Sequence, residues 1–370
     1  MRPCFSRLRA AAIVLLCATS LVPVRAADAV RDHGVPHYDH IFVILEENKG
    51  YATVLDHGYA PRISTFAKTY GLATQMYAEV HPSEANYVAL LGGDTFGIHD
   101  DAAWYCVPGS TRPGCAGSDG PGFVPHLIDG PNLATQLRAK GLAWRAYLED
   151  VPAPGSFDVF SAETATGPAG LYAAKHTGFT NFASVHADPD VSAELVGFDR
   201  LHADLASGAL PAFALVVPNQ CNEMHGINAP KSPPDCRKDN GELVHRGDAY
   251  AGKLVDEILA APFWSRGTNA IVITWDEDSK ADRLPGAPQS CCVVDAHNPG
   301  GGHIPTIVIT NRGPRAVSDP TPYDHYSLLR TIEDAFGLDG HLRHAGDAAV
   351  LPMTPLFAID PSAARGTPVP

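Results

Sequence analysis

Within His81-Pro82-Ser83-Glu84-Ala85-Asn86-Tyr87, a histidine, a serine and an asparagine fall inside six residues. Residues 87–91 continue in apolar side chains to Gly92-Gly93, which predicts a helix starting at this stretch. Pro82 suits a first helical turn, where its missing N–H has no partner to lose. A serine at such a start caps free backbone N–H groups, the commoner role for Ser83. The same N–H groups also bind phosphate and other anions, so Ser83 is equally placed to be a nucleophile whose substrate rests on the helix start.

A nucleophile needs partners, and the chain supplies them at strand ends. Residues 41–45, 212–217, 270–275 and 304–310 are continuous apolar runs, as expected of strands buried on both faces. Residues 143–148 read as a further strand. Helical spacing or caps mark 60–70 (stopped by Gly71), 132–140 (capped by Asn132), 201–206, 248–259 and 326–336, with a short helix at 169–175 leading to His176. This alternation predicts an α/β fold, a mostly parallel central sheet with helices on both faces. Such sheets bind ligands beyond the carboxyl ends of their strands. There the chain places Glu46, Glu47 and Asn48, then Asn219, Asn222, Glu223 and His225, then Asp276, Glu277 and Asp278. Glu46 and Asp278 are expected to face solvent. The remaining carboxylate, amide and imidazole groups suit a hard or borderline divalent metal ion. Adjacent Asp276 and Glu277 can converge only from a turn after the strand. A cation beside Ser83 would lower the hydroxyl pKa. No GxSxG elbow, P-loop, HExxH or GxGxxG is present. A Ser83–His225–Asp276 acyl hydrolase is the competing arrangement, but it leaves Glu47-Asn48 and the second carboxylate without a task.

The 370 residues hold three expected segments. Residues 1–26, with a basic start, an apolar centre and a small residue at Ala26, read as a secretory signal. Residues 27–359 form one catalytic domain, and 360–370 a loose tail. Export to the periplasm or beyond follows, with no stable membrane anchor. Removing the signal's four arginines takes the net charge from −14 to −18, which disfavours nucleic acid as a partner. Six cysteines then remain, Cys106, Cys115, Cys221, Cys236, Cys291 and Cys292, and disulfides are expected after export. Closeness favours 106–115 and 221–236, which would leave a vicinal 291–292 bridge; the spacing alone does not select among 15 pairings. No pattern specifies an oligomeric state.

Five stretches together resemble the bacterial phosphoesterase family of the alkaline-phosphatase-like superfamily. They are Glu47-Asn48 after a strand, His81-Pro82-Ser83-x-x-Asn86-Tyr87, Pro218-Asn219-x-x-Asn222-x-x-His225, Trp275-Asp276-Glu277, and residues 325–333 beginning His325-Tyr326-Ser327. The match runs in order from about Ile41 to Leu338, with the small secreted acid phosphatases that also act on phosphatidylinositol 3-phosphate as the most similar branch. The resemblance implies a phosphorylated Ser83 and a metal held by Glu47, Asn48, Asp276 and Glu277. It implies that the Asn86 amide donates to a phosphoryl oxygen. His225 and His325 would bind phosphate, protonate the leaving group or hold a second ion. His176 and His303 are further substrate-binding candidates, and His81 supports the loop. An aspartate is expected where Glu223 stands. The implied substrates are small phosphate monoesters or phospholipid headgroups. Phospholipase C relatives, which are phosphodiesterases, usually read Met-Glu-Asn-Arg-Ser-Phe after the first strand; Leu45-Glu46-Glu47-Asn48-Lys49-Gly50 here favours the monoesterase reading. A catalytically silent binding module on the same fold is the third reading, and the intact Ser83 and carboxylates argue against it.

Overall fold

The computed structural model describes Met1 and residues 34–360, apart from 119, 166, 238–240, 280, 281 and 283–285. Apart from Met1 and Asp360, the expected signal and tail lie outside the described residues.

Among the described residues one sheet is built from β1 (His40–Glu46), β2 (Gly71–Ala78), β3 (Trp144–Leu148), β4 (Leu195–Val196), β5 (Phe213–Val217), β6 (Asn269–Trp275), β7 (Gly302–Thr310), β8 (Val317–Asp319) and β9 (Tyr323–Asp324). The order is β4-β3-β5-β1-β6-β7-β2-β8, with β9 paired to β2. Strand β1 lies parallel between β5 and β6, with Val43 opposite both Leu215 and Val272. Only β7 runs against its neighbours, β6 and β2. Every residue of β5 and β6 is buried, which a sheet achieves only when both faces are covered.

The helices are α1 (Tyr51–Leu55), α2 (Pro61–Thr69), α3 (Glu84–Gly92), α4 (Leu133–Ala139), α5 (Ala183–Ala187), α6 (Pro189–Ser192), α7 (Phe198–Ser207), α8 (Gly241–Ala260) and α9 (His325–Phe336). Helix α2 packs on α8, and α3 on α9. All nine residues of α3 are buried, so it is a core helix rather than an amphipathic one. It stops at Gly93, whose φ of +75° is left-handed.

Three expectations change. Gly71, read as a helix stop, instead begins β2; its Thr74 and Gln75 hide a strand that lies toward the sheet edge. Residues 169–175 form no α-helix: Gly170 takes a left-handed φ of +77°, and only a 3-10 turn at Ala174–His176 remains. Pro82 precedes the cap of α3 instead of entering its first turn, because α3 begins at Glu84. Among the described residues three disulfides form, Cys106–Cys115, Cys221–Cys236 and the vicinal Cys291–Cys292.

Candidate active site

Four strands, β1, β2, β5 and β6, deliver the site from one edge of the sheet. The missed strand β2 matters most, since the segment leaving its carboxyl end carries His81 and Ser83. Ser83 occupies the N-cap position of α3, yet its side chain makes no cap hydrogen bond. Its Oγ lies 3.0 Å from Glu47 Oε2 and 3.2 Å from Glu277 Oε1. Asn48 adds its Nδ2 at 3.4 Å from the same oxygen. The hydroxyl therefore stands between two buried carboxylates contributed by different strands.

Backbone contacts lock these loops together. The Asn48 N–H donates to Asp276 Oδ1 at 2.9 Å, and the Glu47 N–H to the Glu223 carbonyl at 2.7 Å. Asn48 itself adopts a left-handed φ of +54°, which an asparagine tolerates better than most residues. Asp276 and Glu277 follow β6 in a bend, so both can turn toward the site.

Two sets of imidazoles flank Ser83. On one side, ligand atoms of Glu47, His176 and His225 all lie within 4.8 Å of one another. His176 Nε2 is 3.3 Å from Glu47 Oε1, and its Nδ1 is 2.6 Å from Glu223 Oε1. The His176 and His225 rings meet edge to face, while Tyr87 stacks on His176. On the other side His81 pairs through Nδ1 with Glu277 Oε2, and its Nε2 lies 3.2 Å from Asp278 Oδ1. Gly302 backs Asp278 with a left-handed φ of +95°, and any side chain there would overlap the carboxyl.

The electrostatics ask for a cation. Burial lifts the Glu47 carboxyl well above its ordinary range, and the Asp276 charge adds to the lift. Burial does the same to Glu223, reinforced by Glu47, and to Asp276, reinforced by Glu277. Glu277 is also raised by burial, against the opposing hydrogen bond from His81. Asp276 Oδ2 and Glu223 Oε2 are buried with no hydrogen-bond partner among the described residues. Crowded buried carboxylates with imidazole nitrogens are the donor set of a hard or borderline divalent ion, so the residues present fit such an ion.

Of the residues singled out from sequence, Ser83, Glu47, Asn48, Asp276 and Glu277 come together. His225 and His176 join them, and His176 lies directly beside Glu47. Three others are engaged differently. Asn86 accepts from the N–H groups of Glu79 and Val80, both at 3.1 Å, and donates to the Val80 carbonyl at 2.8 Å, so its amide ties α3 to the loop before it. His325 is buried, with Nδ1 2.5 Å from Glu79 Oε2 and Nε2 2.8 Å from the Trp275 carbonyl. Burial pulls its imidazole down, but Glu79 outweighs this and holds it above the ordinary value. His325 thus braces the strand end that carries Asp276, and Asp324 caps α9. His303 bonds the Thr74 carbonyl at 3.0 Å and stacks on Tyr51. Glu46 and Asp278, expected in solvent, are both buried: Glu46 is the last residue of a central strand, and Asp278 lies against His81 and donates its N–H to the Gly301 carbonyl at 2.9 Å.

The pairing of His81 with Glu277 and Asp278, and of Glu223 with His176, is not legible in the sequence. The nearness of His81 to Ser83 was the available signal. Its carboxylate partners lie nearly 200 positions away, so no local pattern links them.

The sequence profile described as the Phosphoesterase family matches residues 53–339. A phosphatidylinositol-3-phosphatase of Mycobacterium tuberculosis is 29% identical over 344 residues, covering 91% of both chains. An acid phosphatase of Aspergillus fumigatus is 26% identical over 272 residues, 72% of this chain but 48% of its own length. A probable acid phosphatase of Kluyveromyces lactis is 25% identical over 88% of this chain and 64% of its own. The chain thus spans about half and about two thirds of these two fungal relatives. Among solved structures, Ps i-CgsB in complex with k-i-k-neocarrahexaose superposes with a TM-score of 0.50 at 14% identity, over 84% of this chain and 74% of that one. That likeness is one of fold alone.

Proposed function

The chain belongs to the Phosphoesterase family and is a hydrolase of phosphate esters, and from that premise we propose an exported, metal-dependent phosphomonoesterase that works through a phosphoseryl intermediate on Ser83. The observation that carries this reading is the Ser83 hydroxyl. It sits at a helix start yet turns away from capping, toward Glu47 and Glu277. A bound divalent ion, held by Glu47, Asp276 and Glu277 on the Ser83 side and by Glu47, His176 and His225 beside them, would supply positive charge to lower the Ser83 pKa and to stabilise the transferring oxygens.

The chain's own groups account for the rest. Ser83 Oγ donates toward Glu47 at 3.0 Å and Glu277 at 3.2 Å, which orients the oxygen for attack. Attack forms the Oγ–P bond as the ester P–O bond breaks, and the alcohol leaves with a proton. Water attacks the phosphoserine from the opposite direction, releases phosphate and restores the hydroxyl. Two in-line displacements give net retention at phosphorus. Glu223 and the Asn48 backbone keep His176 and Asp276 in place.

Phosphoinositides are included among the proposed substrates, supported by the name of the mycobacterial relative. Export is supported by three disulfides in one chain. Among the described residues no helix is long and apolar enough to cross a membrane. The test is Ser83→Ala, assayed on p-nitrophenyl phosphate and on its bis-ester. Wild type is expected to prefer the monoester. The variant is expected to lose turnover by about 10³-fold or more while still binding phosphate. Near-normal hydrolysis by Ser83→Ala removes the nucleophile, and preference for the bis-ester favours a phosphodiesterase.

A further inference from the structure

Lys175 and Asp101 form an ion pair at the solvent edge of the site. Lys175 Nζ lies 2.8 Å from Asp101 Oδ2, and the side chains are 19% and 29% exposed. The Glu47 side chain, by contrast, is at 0%. Lys175 directly precedes His176, and its charge acts on Glu47 and Asp276. Asp101 Oδ1 accepts from the Glu84 N–H at 3.3 Å, on the residue that follows Ser83. One carboxylate therefore joins an ammonium to the backbone donor beside the nucleophile. A phosphoryl group arriving at Ser83 would bring oxygens suited to the same two partners.

The space beside the pair is small. A void of about 20 Å³ is lined by Glu84, Asp101, Trp104, Phe160, Lys175 and Thr180 among others. That volume holds a water, not a phosphoryl group. The backbone on this side is independently held: Asp100 Oδ1 lies 3.3 Å from His126 Nε2 and accepts from Ala102 N–H at 2.8 Å. These contacts of the loop do not involve the Asp101 side chain.

Resting on the Ser83 reading, we propose that Lys175 receives a non-bridging oxygen of the substrate's phosphoryl group, and that Asp101 is an internal anion which holds this seat until a phosphate monoester displaces it. An ammonium here favours the monoester dianion over a diester monoanion, so the pair also sets the substrate class.

The experiment compares the full chain with Lys175→Gln, Lys175→Arg and Asp101→Asn in steady-state hydrolysis of p-nitrophenyl phosphate with inorganic phosphate as inhibitor. Lys175→Gln is expected to raise both KM and the inhibition constant for phosphate by about 10- to 100-fold, the loss of one charge-assisted contact. Lys175→Arg restores most of that loss. Asp101→Asn does the reverse and tightens phosphate inhibition by at least about 3-fold. An inhibition constant unchanged in Lys175→Gln overturns the proposal. So does a weakening in Asp101→Asn that matches Lys175→Gln, because a merely structural ion pair fails alike from either side. Absence of turnover in wild type would instead overturn the phosphatase reading on which the proposal rests, and phosphate affinity measured by calorimetry on the same four proteins then decides the Lys175 seat separately.

Discussion

A serine that caps a helix through its side chain contributes about 1 kcal/mol to stability. Ser83 forgoes that contribution, since its Oγ faces Glu47 and Glu277. The position gives up a local preference, as functional sites commonly do. The same scale explains Glu223, which stands where an aspartate was expected. Its longer side chain reaches His176 Nδ1 at 2.6 Å and leaves the other ring nitrogen toward Glu47. A carboxylate behind an imidazole fixes its orientation and raises its basicity. Glu223→Gln is therefore expected to weaken divalent-ion binding about 10- to 100-fold. Titration calorimetry on the purified variant checks this, and an unchanged affinity removes Glu223 from the supporting role.

Helix α3 has to start at one place and angle, and a buried network sets both. His126 Nδ1 lies 3.0 Å from Glu84 Oε1, Asn181 bonds the same oxygen, and Asp100 takes the other His126 nitrogen. Burial pulls the His126 imidazole down, but the hydrogen bonds of Asp100 and Glu84 outweigh it and push it up to about 9. Burial lifts Glu84 in spite of this pairing, so the imidazole is the better gauge of the clamp. A histidine raised in the folded state stabilises fully below its unfolded value of about 6.5 and loses that stabilisation as pH rises through about 9. The linked change is at most about 3 kcal/mol. Urea unfolding at pH 6, 7.5 and 9 should show wild type losing stability across this window. His126→Gln should start lower and show a flatter slope; an equal slope would mean that the imidazole is not the titrating clamp.

Across the whole molecule, buried negative charge is gathered at one sheet edge of a chain whose net charge is already −14. Glu47, Glu223, Asp276 and Glu277 are each disfavoured as anions by burial and by one another. A resident divalent ion would remove that repulsion and bind the folded state alone. Chelation is then expected to lower the melting temperature, by the equivalent of about 3 kcal/mol where the ion had stood at 100 times its dissociation constant. Adding back single divalent ions should restore both the transition and the activity. A melting curve indifferent to chelation, with metal content measured before and after, would count against an ion at this site.

Much of the fold was legible because its core strands are apolar throughout: residues 41–45, 212–217 and 270–275 announce burial on both faces without any contact being known. The polar groups that end those runs were legible for the same reason, since a parallel sheet presents its carboxyl ends together. Strand β2 was not legible, because Gly71, Thr74 and Gln75 interrupt its pattern and its pairing with β7 is a long-range one. Nor did local sequence distinguish the use of one loop residue from another. Asn86 turns back to the 79–80 backbone, His325 reaches Glu79 and the Trp275 carbonyl, and His176 moves in beside Glu47. By itself, then, the sequence determined the buried core strands, the edge at which polar groups gather and the serine among the candidates there, because burial and periodicity are local properties. Only the tertiary structure decided which carboxylates and imidazoles meet that serine, because Glu47 stands 36 positions from it and Glu277 194, and such groups converge only once strand order and register are set.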